Sequence, residues 1–262
     1  GSEMCIRDST SLQTVSYSDT TWALLFNAAE GSVFQNQQLR QALAGIAREN
    51  ADVPSSGLYA AAKGLVPEGL TVDGLDYRET AGNPLPTIPE PKALYLAARQ
   101  GMATSDFSGV TLLLPKNAGL GELADQINSA WQKECSLFFS VEEVEQDEFD
   151  ARIAAGKYTI ALAPIRAEGG SVYQMLQQFT AEGGSLTGYA DTVYADRLAL
   201  SAQQTGKDRC ALLAQCERQL LESCTVVPLM AQQKRLLLAN GVRDLVFDPF
   251  FPVLDLTWAK MS

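Results

Sequence analysis

The sequence predicts an α/β protein with a largely parallel or mixed sheet flanked by helices. From residue 92 onward, helical segments alternate with short apolar strands, the pattern of strands joined by packed helices. Hydrophobic residues make up 46% of the 262, enough for a sizeable core in one large or two small domains. No repeat period and no low-complexity tract breaks the pattern.

The elements follow in order. TWALLFN, residues 21–27, reads as a strand ending in a polar turn. NQQLRQALAGIAREN places Leu39, Leu43, Ile46 and Ala47 on one helical face, with Asn36 as N-cap. The alanines of residues 57–63 predict a short helix. Residues 71–91 are rich in Gly and Pro and read as an extended surface loop, longer than an ordinary connection and so held against the body or functional. Then come a helix at 92–100, a strand at 110–115, a helix at 120–134 and a strand at 137–145. A helix at 148–155 leads to a strand at 158–165, and helices follow at 172–182, 192–204 and 207–223. VVPLM, KRLLL and DLVF close the chain as strands. The first nine residues, GSEMCIRDS, resemble the translation of a transposon-end adapter used in sequencing libraries. They are set aside from the fold, and the natural chain is expected to begin upstream.

Charge and composition exclude several functions. The net charge is −11, with no run of Lys and Arg, which argues against nucleic acid and against an anionic membrane surface. No apolar run reaches transmembrane length. The chain has no histidine, so a Ser-His-Asp triad, a Cys-His pair and histidine metal sites are ruled out. Cys135, Cys210, Cys216 and Cys224 form no C-x-x-C and read as buried free thiols. No metal and no cofactor is expected, and the chain is not expected to be an enzyme.

Three stretches carry possible chemistry. Gly119, Gly121 and Ala124 match G-x-G-x-x-A. Residues 115–118 separate that motif from its strand, so it reads as an ordinary helix start. Glu142, Glu143, Glu145, Asp147 and Glu148 read as a solvated strand end and helix N-terminus. ALAPIRAEGGS, residues 161–171, is the strongest candidate, because ligands bind at strand ends of open α/β sheets. Pro164 removes a ladder donor, so this strand is expected at a sheet edge, open to an extended peptide. An ordinary strand-to-helix turn with a surface Arg–Glu pair is the alternative.

Four segments, in order from Thr21 to Ser262, resemble a known family. They are LLFNAAEGSVFQNQQLRQALAGIARE, with Asn27, Phe34, Arg40 and Ala42 in the matching places; Phe149, Ile153, Gly156, Tyr158 and Ala161; ADTVYADRLALSAQQTGKDRCALLAQCERQLLES; and VVPLMAQQKRLLLANGVRDLVFDPF. The chain resembles the C-terminal half of an extracellular solute-binding protein of family 5, the oligopeptide- and dipeptide-binding lipoproteins of ABC importers.

The resemblance implies a periplasmic-binding-protein-like type II lobe over residues 10–230. It implies that residues 231–262 return as strands to a first lobe missing from this chain. Exposed apolar side chains are then expected at Leu236, Leu238, Val246, Phe250 and Phe251. The implied function is capture of an oligopeptide for import, outside the cell or in the periplasm, with permease subunits as partners. Any membrane attachment is through a lipid anchor upstream. Glu168 takes the place that holds the peptide amine, with Ala163, Pro164, Ile165, Arg166 and Tyr173 around it. The sequence has Glu168 where the family has Asp, Pro164-Ile165 where it has Trp nearby, and Thr159 where Asp follows the Tyr. A non-peptide solute, or the ligand-sensing domain of a cytoplasmic transcriptional regulator, therefore stays open.

Overall fold

The computed structural model describes residues 12–54 and 56–239, with four short segments at 242–243, 246–247, 254–255 and 260–261. The expectations on residues 1–9 and on the side chains of Leu236, Leu238, Val246, Phe250 and Phe251 lie outside the described residues.

Strand β1 (Leu12–Tyr17) leads directly into β2 (Thr20–Phe26), every residue of which is buried. TTWALLF is apolar on both alternations, as a strand covered on both faces must be. Helix α1 (Gln37–Asn50) starts where expected: the Asn36 side chain accepts the Leu39 N–H at 3.1 Å. The segment expected as a short alanine helix is instead strand β3 (Tyr59–Ala61). Three alanines between Gly57 and Gly64 are too few to nucleate a helix in water, and pairing with a neighbouring strand decides the conformation.

The expected loop 71–91 begins with a hairpin of β4 (Thr71–Val72) and β5 (Leu75–Asp76), followed by the single turn α2 (Tyr77–Ala81). Only residues 82–90 are extended connection. Then α3 (Pro91–Ala98), β6 (Thr111–Pro115), α4 (Gly121–Cys135), β7 (Ser140–Val144), α5 (Gln146–Ala154) and β8 (Ile160–Arg166) follow within a few residues of expectation. Helix α6 (Val172–Gln177) is shorter than expected. The Thr180 hydroxyl donates to the Gln177 carbonyl and accepts from Gly183 N–H, which turns the chain out of the helix. Helices α7 (Thr192–Ser201) and α8 (Gly206–Glu222) lead to β9 (Val226–Gln232) and β10 (Lys234–Ala239).

The main sheet has six strands in the order β3-β9-β2-β8-β6-β7. β2 runs antiparallel to β8 and β9, and β6 runs parallel to β7 and β8. β1 pairs antiparallel with β10 outside this sheet. The tail segment 242–243 pairs with 260–261, and 246–247 with 254–255.

Side-chain alternation divides the core. Trp22, Leu24, Phe26, Ile160 and Leu162 join one face with Leu43, Ile127 and Trp131 of α1 and α4. Ala23, Leu25, Ala161, Ala163 and Ile165 join the other with Leu176, Leu198, Leu213 and Leu220 of α6, α7 and α8. Cys135, Cys210, Cys216 and Cys224 are free and buried. The acidic stretch is solvated, with Glu142 paired to Arg152 at 2.8 Å and Glu145 to Lys116 at 2.7 Å.

The family-like residues hold this frame together. Asn27 ends β2 by donating to the Gly156 and Tyr158 carbonyls, both at 2.9 Å, while its own oxygen accepts Ala29 N–H. Arg40 is buried and donates to the carbonyls of Ser223, Phe34 and Gln35. Ser223 is the C-cap of α8, where the dipole favours a cation. Desolvation lowers the Arg40 pKa from its ordinary value. Thr159 donates to the Thr111 carbonyl and accepts Thr111 N–H, each at 2.8 Å. Its hydroxyl joins the starts of β8 and β6, at the end of β8 away from Glu168.

Candidate ligand-binding site

β8 was expected at an edge, and it is interior, between β2 and β6. Its pairing explains how it tolerates Pro164. Asn27 N–H bonds the Thr159 carbonyl at 3.0 Å, and Ala167 N–H bonds the Asp19 carbonyl at 2.8 Å. Hydrogen-bonded pairs alternate along an antiparallel ladder. With the register of β2 on β8, the backbone groups of 161, 163 and 165 therefore face β2. Those of 162, 164 and 166 face the β6 side.

The β6 ladder ends early. It pairs Leu112 with Ile160 and Leu113 with Ala161, and no further. β6 then continues alongside β7 to Pro115 and Val144. Past Ala161, no described strand pairs with the outward edge of β8. Pro164 sits where no neighbour asks for an N–H, so the sheet loses no bond. The Pro164 carbonyl and the Arg166 N–H face this open side; the Arg166 carbonyl is taken by the Gln178 side chain at 3.1 Å. The strand is central, but its last residues form a local edge of the kind that pairs with an extended chain.

The six predicted site residues divide by alternation. Ala163 and Ile165 are 2% and 1% exposed and belong to the second-face core, so their side chains are corrected out of the site. Pro164 is half-buried and Arg166 exposed, both on the other alternation. Tyr173, on α6, is half-buried and packs against the second-face core. Glu168 is exposed and opens a short turn, Glu168–Gly170, in which Gly169 (φ 56) and Gly170 (φ 70) take left-handed backbone. Arg166 and Glu168 do not form the surface pair that an ordinary strand-to-helix turn was to carry; among the described residues, nothing pairs with the Glu168 carboxylate. The neighbouring Asp19 is neutralised by Lys234 at 2.6 Å and accepts the Thr20 hydroxyl at 2.7 Å. The end of β8 thus carries one uncompensated carboxylate beside free backbone groups. That arrangement suits an ammonium attached to an extended chain.

The sequence reading missed Trp22. It lies opposite Pro164 in the register of β2 on β8. It is 7% exposed, and its indole N–H is buried without a partner. The reading noted a missing tryptophan at the end of β8, whereas the structure places one on the adjacent strand. Only strand pairing across 142 positions brings the two residues together, and no local signal announces it. Among the described residues, no group of three or more Cys, Asp or Glu could hold a metal ion. No described helix is long and apolar enough to cross a membrane.

No protein-family model and no curated protein matches the sequence. Solved structures do match the fold. The substrate-binding domain of an oligopeptide ABC transporter from Bacillus anthracis superposes with a TM-score of 0.76 at 16% identity, over 98% of this chain and 52% of its own. The pheromone receptor PrgZ, described with its mode of peptide binding, gives 0.75 at 17% over 98% and 51%. OppA of Listeria monocytogenes, bound to peptide, gives 0.72 at 18% over 98% and 51%. The fold is that of one half of such a binding protein. The chain spans about half the length of these structures, as a single lobe with its mixed sheet flanked by helices would.

Proposed function

We propose that this chain is the ligand-gripping half of an extracytoplasmic substrate-binding protein that captures oligopeptides for an ABC importer. One observation carries the reading: the open edge of β8 ends beside an unpaired carboxylate. The Pro164 carbonyl and Arg166 N–H would pair with a peptide backbone. Glu168 would take its ammonium in a charge-assisted hydrogen bond. Ala163 and Ile165 hold the edge in place from the core beneath. On this reading β1 and β10 cross to a further lobe, and the permease subunits and a lipid anchor belong to the whole protein.

The test compares a tripeptide such as trialanine with its N-acetyl form. Glu168→Gln is expected to weaken the free-amine peptide about tenfold or more, the worth of one hydrogen bond to a charged group. It should leave the acetylated form unchanged. Equal losses for the two, measured by calorimetry, would remove Glu168 from the role.

Pro164 favours a second reading, a non-peptide solute on the same fold, because it offers the open edge one donor fewer. Heat from a sugar or chelate and none from a peptide pool would select it.

A further inference from the structure

Asp19 joins three parts of the chain at the end of β8. Its carbonyl accepts the Ala167 N–H at 2.8 Å, one step beyond the Thr20–Arg166 pair that ends the register of β2 on β8. That bond sets Asp19 across from the residue just before Glu168. Its carboxylate takes the Lys234 ammonium at 2.6 Å. Lys234 opens β10 opposite Tyr17 of β1, with its ammonium 6.0 Å from the centre of that ring. One residue thus meets the turn that carries Glu168 and the two strands that leave the main sheet.

The pair is half-open to water, with side chains 38% exposed at Lys234 and 19% at Asp19. Screening is therefore partial, and charges within a Debye length, about 8 Å at physiological salt, still act on one another. Glu168, Arg166, Asp19 and Lys234 lie at this end of β8, two anions and two cations. Among the described residues no ion pair holds Arg166 or Glu168. Asp19 and Lys234 are in contact and cancel each other. Taking away either one uncovers the other beside the ligand edge.

We propose that Lys234 and Asp19 set the charge preference of the Glu168 site, an inference that rests on the reading of Glu168 as the partner of a peptide amine. With Lys234 in place, Asp19 is neutralised and Glu168 is the carboxylate left for the ligand. A peptide with one ammonium satisfies it. A lysine at the peptide's first position carries a second cation past the amine on a four-carbon stem. There it meets a pair with no net charge to offer. The site is thereby indifferent to a basic first residue. Uncovering Asp19 makes the site favour one, and uncovering Lys234 makes the site reject one.

The test titrates the full chain by calorimetry with trialanine, its N-acetyl form and lysyl-alanyl-alanine. The wild type is expected to bind the two free-amine peptides alike. Lys234→Gln is expected to favour the lysyl peptide about fivefold, the worth of one partly exposed ion pair. Asp19→Asn keeps the backbone bond to Ala167 and is expected to disfavour the lysyl peptide by a similar factor. The double variant and Lys234→Arg should both restore the even ratio, and high salt should flatten both shifts. A clasp that only braced the fold would weaken both peptides together and leave their ratio fixed. An unmoved ratio, or a shift in the same direction in both single variants, would overturn the proposal while leaving Glu168 in its role. No discrimination between trialanine and its acetyl form by the wild type would remove Glu168, and this proposal with it.

Discussion

Glu217 shows at the scale of one residue how much of the molecule a buried charge can organise. It is fully buried on α8. Its two oxygens accept Val66 N–H at 2.9 Å, the Tyr77 hydroxyl at 2.9 Å and the Arg78 guanidinium at 2.9 and 3.2 Å. One carboxylate thus pins the loop after β3 and the turn α2 to the helical layer. Burial, and then Glu217 itself, hold the Tyr77 hydroxyl well above its ordinary pKa. The packing is close enough that a Cβ on Gly64 would meet Arg78 Nη2 at 2.6 Å and Glu217 Oε1 at 2.7 Å. Removing one partner of such a pair leaves a buried charge uncompensated, which costs about 3–5 kcal/mol. Glu217→Gln is expected to lose that much in urea unfolding. The double variant Arg78→Met, Glu217→Leu should lose clearly less. Equal losses would mean that the pair itself, and not the orphaned charge, supplies the stability.

At the scale of the element, β8 does two jobs at its two ends, and substitutions should separate them. Thr159 bonds both backbone groups of Thr111 where β8 meets β6. Thr159→Val keeps the shape and leaves those two groups unpaired, so a loss of about 1–3 kcal/mol is expected. Ligand affinity at Glu168 should not change; a parallel fall in affinity would mean that the two ends are coupled. Helical spacing made α1 legible in the sequence down to its cap, because Asn36 and its apolar face are local signals. The apolar runs of β2, β6 and β8 were legible for the same reason. β1 and β3 were not: each owes its conformation to a partner more than 160 positions away, in β10 and β9. Pro164 was read as placing its strand at a sheet edge, whereas β8 lies between β2 and β6. The edge is the last few residues of a central strand, and only the β6 register reveals that. Which alternation faces outward was equally hidden, so Ala163 and Ile165 were placed with the ligand when they belong to the core.

For the molecule as a whole, the two cores close over protonated acids, and this sets how the fold answers alkali. Desolvation pushes the Cys216 thiol from an ordinary value near 9 up to about 12, and Cys135 and Cys224 up to about 11. Burial raises Tyr158 and Tyr194 as well. In the unfolded chain these thiols ionise near 9, while in the fold they keep their protons to about 11–12. Between those values the unfolded state binds fewer protons than the native one, so stability must fall as pH rises. The contribution is complete below about pH 9 and is lost progressively toward pH 11–12. The melting temperature is expected to hold steady from pH 7 to about 8.5 and then drop steeply. Cys216 is fully buried, in the second-face core, while Cys135 and Cys224 lie in the first. Cys216→Ala should therefore flatten part of the decline, even though it lowers stability at neutral pH by leaving a small cavity. A thiol reagent gives an independent check: at pH 8 Cys135, Cys210, Cys216 and Cys224 should react only as fast as the protein unfolds. Rapid labelling of any of these four cysteines in the native protein, or a melting temperature level to pH 11, would show that the two cores admit water where the packing says they exclude it.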